Sequence, residues 1–340
     1  MPADGMSLIV DLAGRDDELR LALDDLRMNR WFALRDLLLK AGGDWPLRTA
    51  RSQVLAVGAG DGGAVAAWRE EEPRNADALM MWARVLTRQA VRAFREGREA
   101  GLLGRAAGIA RDACWAAVRT WPQDPVPWVC LLDLAKLPID ARHLDPFFRQ
   151  RHHRWGQAPE MGLFPGPWPL LHEADLRDPG SREAYHRMRE YVDTHLSGGL
   201  AVDFARWVTA RAPQGSALQV LPLYAFVAEY QRRHGKGQGG AIAFWSTEQV
   251  RHYTRKARDD WFYCIPPTAR SMLSLLDLNH LAYALVACGE SGASWVFEAI
   301  GPYATSAPWA QVSASLGRDW QNEFRRMRDA SLRPRRGRRS

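Results

Sequence analysis

The sequence predicts an all-α protein, on three observations. Nearly every segment spaces its apolar residues with a helical period, alternating strand patterns are nearly absent, and short runs rich in proline, glycine and acids separate the helical stretches. RWFALRDLLLKAG puts Trp31, Leu34, Leu37 and Leu38 on one stripe. DALMMWARVLTRQAVRAF runs about five turns without a breaker. AAGIARDACWAAVRTW, SREAYHRMREYVDTHL, LAVDFARWVTARA, ALQVLPLYAFVAEYQRR and TARSMLSLLDLNHLAYALVA read as further helices. EEEPRN, WPQDP, RDPGS, RAPQGS, CIPP, CGESG and GPYATSAPW are the stops between them.

One stretch argues for another class. VLAVGAGDGGAVAAW spaces Gly58, Gly60 and Gly63 as G-x-G-x-x-G, the outline of a strand, a tight turn and a phosphate-binding helix. That site needs a doubly wound sheet, and Val54–Val57 is the best strand candidate in the chain. A lone strand has nothing to pair with. The expectation is therefore a helix over Thr49–Ala56, a glycine turn, and a helix over Ala64–Glu71.

A second pattern lies in the breakers. Ala110, Cys114, Ala117 and Pro122 stand at relative positions 0, +4, +7 and +12, and Ala201, Ala205, Val208 and Pro213 repeat that spacing. Tyr185, Met188 and Val192 precede the second set, and Leu281, Leu285, Gly289, Ala293 and Phe297 form a related run. These units resemble degenerate tetratricopeptide repeats. The phrases WPQDPVPW, REAYHRMREYV and NHLAYALVACGESGASWVFEAIGPYATSAPW are also similar to an uncharacterised bacterial family of helical-repeat proteins. The resemblance implies an α-solenoid of irregular helix pairs in two halves, with small residues where helices cross. It implies no activity. The expected divisions are a repeat half over 1–150, a Pro/Gly-rich linker over 151–176, a second repeat half over 177–330, and a disordered Arg-rich tail over 331–340.

Composition excludes several classes. No apolar run reaches 18 residues, so no membrane span is expected, and the N-terminus lacks the basic and apolar regions of a secretory signal. Cys114, Cys130, Cys264 and Cys288 stand singly in apolar segments and read as buried, reduced thiols of a cytoplasmic protein. The net charge is +7, but RPRRGRRS alone carries Arg333, Arg335, Arg336, Arg338 and Arg339. The body is therefore nearly balanced, and nucleic-acid contact is expected only through those five residues. Of 46 basic residues only four are lysines, a bias expected of GC-rich coding. Arginine count is discounted as a sign of phosphate recognition for that reason.

The candidate chemistry is sparse. Glu183–His186 and Asp277–His280 are carboxylate–histidine pairs at i, i+3, the spacing that helices use to hold di-iron or di-manganese centres. Each pair also reads as ordinary hydrogen-bonded core. His152 and His153 sit in a local basic cluster that reads as an anion site or a solvated loop. No nucleophile elbow, P-loop or H-E-x-x-H helix occurs. The leading reading is a non-enzymatic scaffold that binds a peptide or partner protein in a concave groove. Its expected anchors are Trp155, Trp168, Tyr185, Trp207, Tyr224 and Tyr230, with His152 and His153. The alternative is an all-α enzyme or ligand carrier, with non-haem iron or manganese as its only expected cofactor.

Overall fold

The structure is a computed structural model, and it describes residues 7–138, 160, 163–235, 241–314 and 317–333. Among these residues all regular structure is helical. The one β-type pairing is an isolated bridge between Ile9 and Tyr303. Contacts divide the chain into two compact units, Arg15–Leu200 and Met1–Gly14 with Ala201–Ser340.

The first unit holds α1 (Asp17–Arg27), α2 (Phe32–Ala41), α3 (Trp45–Gly58), α4 (Gly63–Glu71), α5 (Ala76–Arg95), α6 (Ala100–Thr120), α7 (Val126–Leu134), α8 (Trp168–Arg177) and α9 (Arg182–His195). Side-chain caps fix several starts. Asp16 accepts from the Leu19 amide, Asp44 from the Leu47 amide, and Asn75 from the amides of Asp77 and Ala78. Each cap satisfies a donor that the first turn leaves open. Helices α5 and α6, joined by four residues, pack along each other as a long hairpin. The α6 stripe Leu103, Ala107, Ala110, Cys114 and Ala117 is buried, which is where the small-residue spacing placed it. All nine residues of α7 are buried, and it packs against α5, α6, α8 and α9. Its sequence, VPWVCLLDL, is apolar on every face because it has neighbours on every side.

The glycine stretch is an interhelical turn. Helix α3 runs through Gly58, where an added Cβ would collide with Leu23 of α1. Gly60 and Gly62 have φ of 59° and 90°, and Gly62 opens α4. A Cβ on Gly62 would lie 2.7 Å from Val85 Cγ1 of α5. The glycines thus serve close helix approach and left-handed backbone.

The second unit holds α10 (Gly198–Arg211), whose first turn spans the division, then a 3-10 turn (Ala217–Val220), α11 (Leu221–His234), α12 (Ala241–Trp245) and α13 (Glu248–Ala257). A π turn (Arg258–Phe262) and a second 3-10 turn (Pro267–Met272) lead to α14 (Leu275–Ala287), α15 (Ala293–Ile300), α16 (Trp309–Ala314) and α17 (Trp320–Leu332). Its core is aromatic. Trp309 is fully buried, with ring centroids 5.3 Å from Tyr283, 5.2 Å from Phe324 and 6.3 Å from Phe297. Its indole N–H donates to Asn279 Oδ1 at 2.7 Å, so the polar edge of the largest side chain is satisfied inside the core. The N-terminal segment joins this unit through Ile9, which donates to the Pro302 carbonyl and accepts from the Ala304 amide, both at 2.9 Å.

Three expectations need correction. The irregular stretch over 151–176 is helical from Trp168, because Pro169 falls in the first turn of α8, where a missing N–H costs nothing. The segment TARSMLSLLDLNHLAYALVA is not one helix. Ser274 caps α14 by accepting from the Asp277 amide, and the preceding residues form the separate 3-10 turn. Cys264 is exposed, whereas Cys114, Cys130 and Cys288 are buried. Of the basic tail only Arg333 lies among the described residues.

Gly62→Ala is expected to destabilise by about 1–3 kcal/mol, from left-handed backbone plus the Val85 collision. Gly60→Ala, with open space at its Cβ position, should cost less. Equal melting temperatures for the two variants would contradict the packing of α4 on α5.

Candidate functional site: an arginine-lined cavity

The carboxylate of Glu183 leads to the site. It is 4% exposed on α9 and accepts from Arg84 of α5 through both oxygens, Nη1 to Oε1 at 3.0 Å and Nη2 to Oε2 at 2.5 Å. Arg84 Nε donates to Ser52 Oγ of α3 at 3.0 Å, and its Nη2 donates again to the Thr49 carbonyl at 3.0 Å. One guanidinium therefore ties α3, α5 and α9 together. The fork matches a carboxylate in two parallel bonds, which a lysine could not do.

Arg187, one turn along α9, donates to Glu183 Oε1 at 2.8 Å and lies 3.2 Å from Glu190 Oε2 and 3.7 Å from Asp133 of α7. Lys136 bridges Asp133 at 2.5 Å and Glu190 at 2.6 Å. Burial opposes ionisation of Glu183 and Glu190. For Glu183 the charges of Arg84 and Arg187 win, and for Glu190 those of Arg187 and Lys136 do, so both carboxyls stay below the usual range. Burial likewise works against the charge of Arg187, but Asp133, Glu190 and Glu183 outweigh it and raise its pKa well above the ordinary value. Three cations thus form ion pairs with three carboxylates, and the charge of the buried Arg189 also acts on Glu190.

The pairing thins one turn further along α5. Arg84, Arg88, Arg92 and Arg95 fall within an arc of about 80° on that helix, at 100° per residue. With Arg187 they line a cavity of about 290 Å³, whose other walls are Gln53, Ala56, Val57, Thr87, Val91, Cys130 and Asp133. Arg92 has one ion pair among the described residues, to Glu96 at 3.8 Å. Arg88 and Arg95 have no ion pair among the described residues, and Arg88 Nη1 is buried without a hydrogen-bond partner. The pKa of Arg88 is lowered by burial and by the charges of Arg92 and Arg95. The cavity therefore grades from a neutralised end at Arg84 to a cationic end at Arg88, Arg92 and Arg95, where among the described residues only Arg92 has an ion pair.

Of the candidate site residues singled out from sequence, Glu183 belongs to this network and the others that are described do not line the cavity. Trp155, His152 and His153 lie outside the described residues. Trp168 and Tyr230 are core residues at 7% and 1% exposure, and the Trp168 indole donates to the Phe164 carbonyl at 2.8 Å. Tyr185 is half-buried on α9, and burial together with Asp175 raises its pKa. Trp207 is half-buried beneath the Arg211 guanidinium, 4.5 Å from the ring centroid. Tyr224 does meet two of the metal candidates. Its hydroxyl donates to Asp277, and its ring stacks on His280 at 3.6 Å. His280 Nδ1 lies 2.8 Å from the Leu276 carbonyl. Asp277 and His280 belong to the second unit, whereas Glu183 and the buried His186 belong to the first. Among the described residues no three His, Cys, Asp or Glu side chains group as metal ligands. The α5 arginines were visible as a one-face pattern, but the overall arginine bias masked them.

No protein-family model, curated protein or solved structure matches this chain. No helix among the described residues is long and apolar enough to cross a membrane.

The network makes the first unit acid-labile. Glu183 and Glu190 have folded pKa values below the ordinary 4.5, so their contribution is complete above that pH and disappears as pH falls through the folded values. Unfolding free energy measured from pH 7 to pH 2.5 should drop below about pH 4.5. Glu183→Gln should lower stability at pH 7 and flatten that drop. An unchanged pH profile in the variant would contradict the assignment.

Proposed function

We propose that this chain is a non-enzymatic binding protein of the helical-repeat kind, and that the cavity in Arg15–Leu200 receives an acidic group presented by a peptide or partner protein. The observation that carries this reading is Arg88. A half-buried guanidinium with a buried, unpartnered Nη1 and two like charges beside it weakens the free protein. An anion in the cavity would satisfy that donor and offset the repulsion at once. The tetratricopeptide-like spacing on α6 and α10 supports a repeat architecture, and such helix arrays bind extended partners on their concave faces. Ala110, Ala117, Ala201 and Ala205, the small residues of that spacing, are all buried.

The metal-dependent alternative has less support at its best candidate. Both oxygens of Glu183 already accept hydrogen bonds from guanidinium groups. Asp277 accepts from the Tyr224 hydroxyl, and its amide donates to Ser274, the cap of α14.

The reading predicts opposite effects of one substitution. Arg88→Gln should leave the free protein as stable as the parent or raise its melting temperature, because repulsion is relieved. The same variant should bind a polyglutamate peptide at least tenfold more weakly, the loss expected for one charge-assisted hydrogen bond. Arg211→Gln removes an equal charge from the second unit and should alter neither. A destabilised Arg88→Gln that retains full peptide affinity would overturn the proposal.

A further inference from the structure

Resting on the cavity reading above, we infer that the group the cavity receives is a phosphoryl dianion, carried by a phosphorylated side chain or by a small phosphorylated molecule. Charge is the first argument. Among the described residues Arg88, Arg92 and Arg95 stand as a surplus offset in part by Glu96, which Arg98 also engages at 3.3 Å. A single carboxylate leaves most of that surplus in place. A phosphoryl group brings close to two charges and three acceptor oxygens near neutral pH.

Shape is the second. The surplus guanidiniums come from successive turns of one helix, so their forks can reach different oxygens of one tetrahedral group. The opposite wall offers Arg187 and the neutral amide of Gln53. Ala56, Val57 and Val91 form an apolar side against which the carbon skeleton of the ligand can rest. The volume of about 290 Å³ is at the small end of ligand sites, which run from about 300 Å³ upward. It suits one side-chain-sized group.

Protonation separates the two acid classes. A phosphoryl group takes up its second proton near pH 6, while a carboxylate stays charged to about pH 4. The arginines do not titrate in this range. The other titratable groups that line the cavity or pair with its lining are Cys130 and Asp133 from α7, Lys136 just after it, and Glu183 and Glu190 from α9. Sulfate remains a dianion throughout and reports any titration of these groups.

The experiment is a calorimetric titration of the full chain, at fixed salt, between pH 5 and pH 7.5. The probes are a phosphoserine peptide, the same peptide with serine or glutamate at that position, inorganic phosphate, and sulfate. The phosphoserine peptide should bind about tenfold or more tightly than the glutamate peptide at pH 7.5. Its affinity should fall as pH drops through 6 while that for sulfate does not, and Arg88→Gln should remove the preference. Inorganic phosphate matching the phosphopeptide would support a free phosphorylated ligand. A phosphopeptide much tighter than inorganic phosphate would support a phosphorylated side chain. Equal binding of the glutamate peptide, unchanged down to pH 5, would overturn the phosphoryl assignment and leave the acidic-group reading standing. No saturable binding of any probe would overturn both.

Discussion

The pairing of Arg84 with Glu183 is the constraint on which the first unit depends. Arg84 is 5% exposed and Glu183 4% exposed, so each charge has been taken out of water. Such desolvation is tolerable only when every donor and lone pair finds a partner. Here the guanidinium spends its bonds on the carboxylate, Ser52 Oγ and the Thr49 carbonyl. That geometry fixes α3 and α9 against α5 in register. A second buried arginine, Arg48 of α3, makes a parallel link, donating to Asp124 before α7 and to Asp77 at the start of α5. Asp124 in turn accepts from the Val126 amide and so starts α7. The apolar helix α7 is held between these polar ties.

The same helix that supplies the tie supplies the site. Along α5 the arginine face passes from a charge that is neutralised and structural, at Arg84, to charges that are not neutralised, at Arg88 and Arg95. A face built only for solubility would interleave acids at i, i+4 with its arginines. Here no acid stands between Arg84 and Arg95; Asp77 in the first turn pairs with Arg48 of α3, and Glu96 follows the last turn. The second unit packs aromatic side chains about Trp309, and among its buried carboxylates Asp277 meets a tyrosine hydroxyl while Glu229 and Glu323 meet arginines.

Much of the fold was legible in the sequence, because helical period and breakers are local signals. The α2 stripe Trp31, Leu34, Leu37 and Leu38 is buried, and so are the small residues Ala110, Ala117, Ala201 and Ala205. The glycine turn followed from the absence of partner strands. Breaks that depend on a cap were harder to see, since Ser274 resembles any other serine until its hydroxyl accepts from the Asp277 amide. The cavity was not legible. It is assembled from α3, α5, α7 and α9, whose residues lie as far apart as Gln53 and Arg187. Which arginines are paired depends on acids distant in sequence, as Glu183 is from Arg84, and no periodicity encodes that. Glu183 was singled out for metal chemistry by its spacing to His186, whereas its partners come from other turns and another helix.

The most direct measurement is a double-mutant cycle on Arg84 and Glu183, with Arg84→Met, Glu183→Gln and the double variant unfolded by urea at pH 7. Each single variant takes one partner from the buried pair, Glu183 keeping only Arg187 when Arg84 is lost, and the double variant removes both charges. The account predicts a coupling free energy of about 2–3 kcal/mol between the two sites, with the double variant closer to the parent than the single losses would sum to. Additive losses, with coupling below about 0.5 kcal/mol, would contradict it.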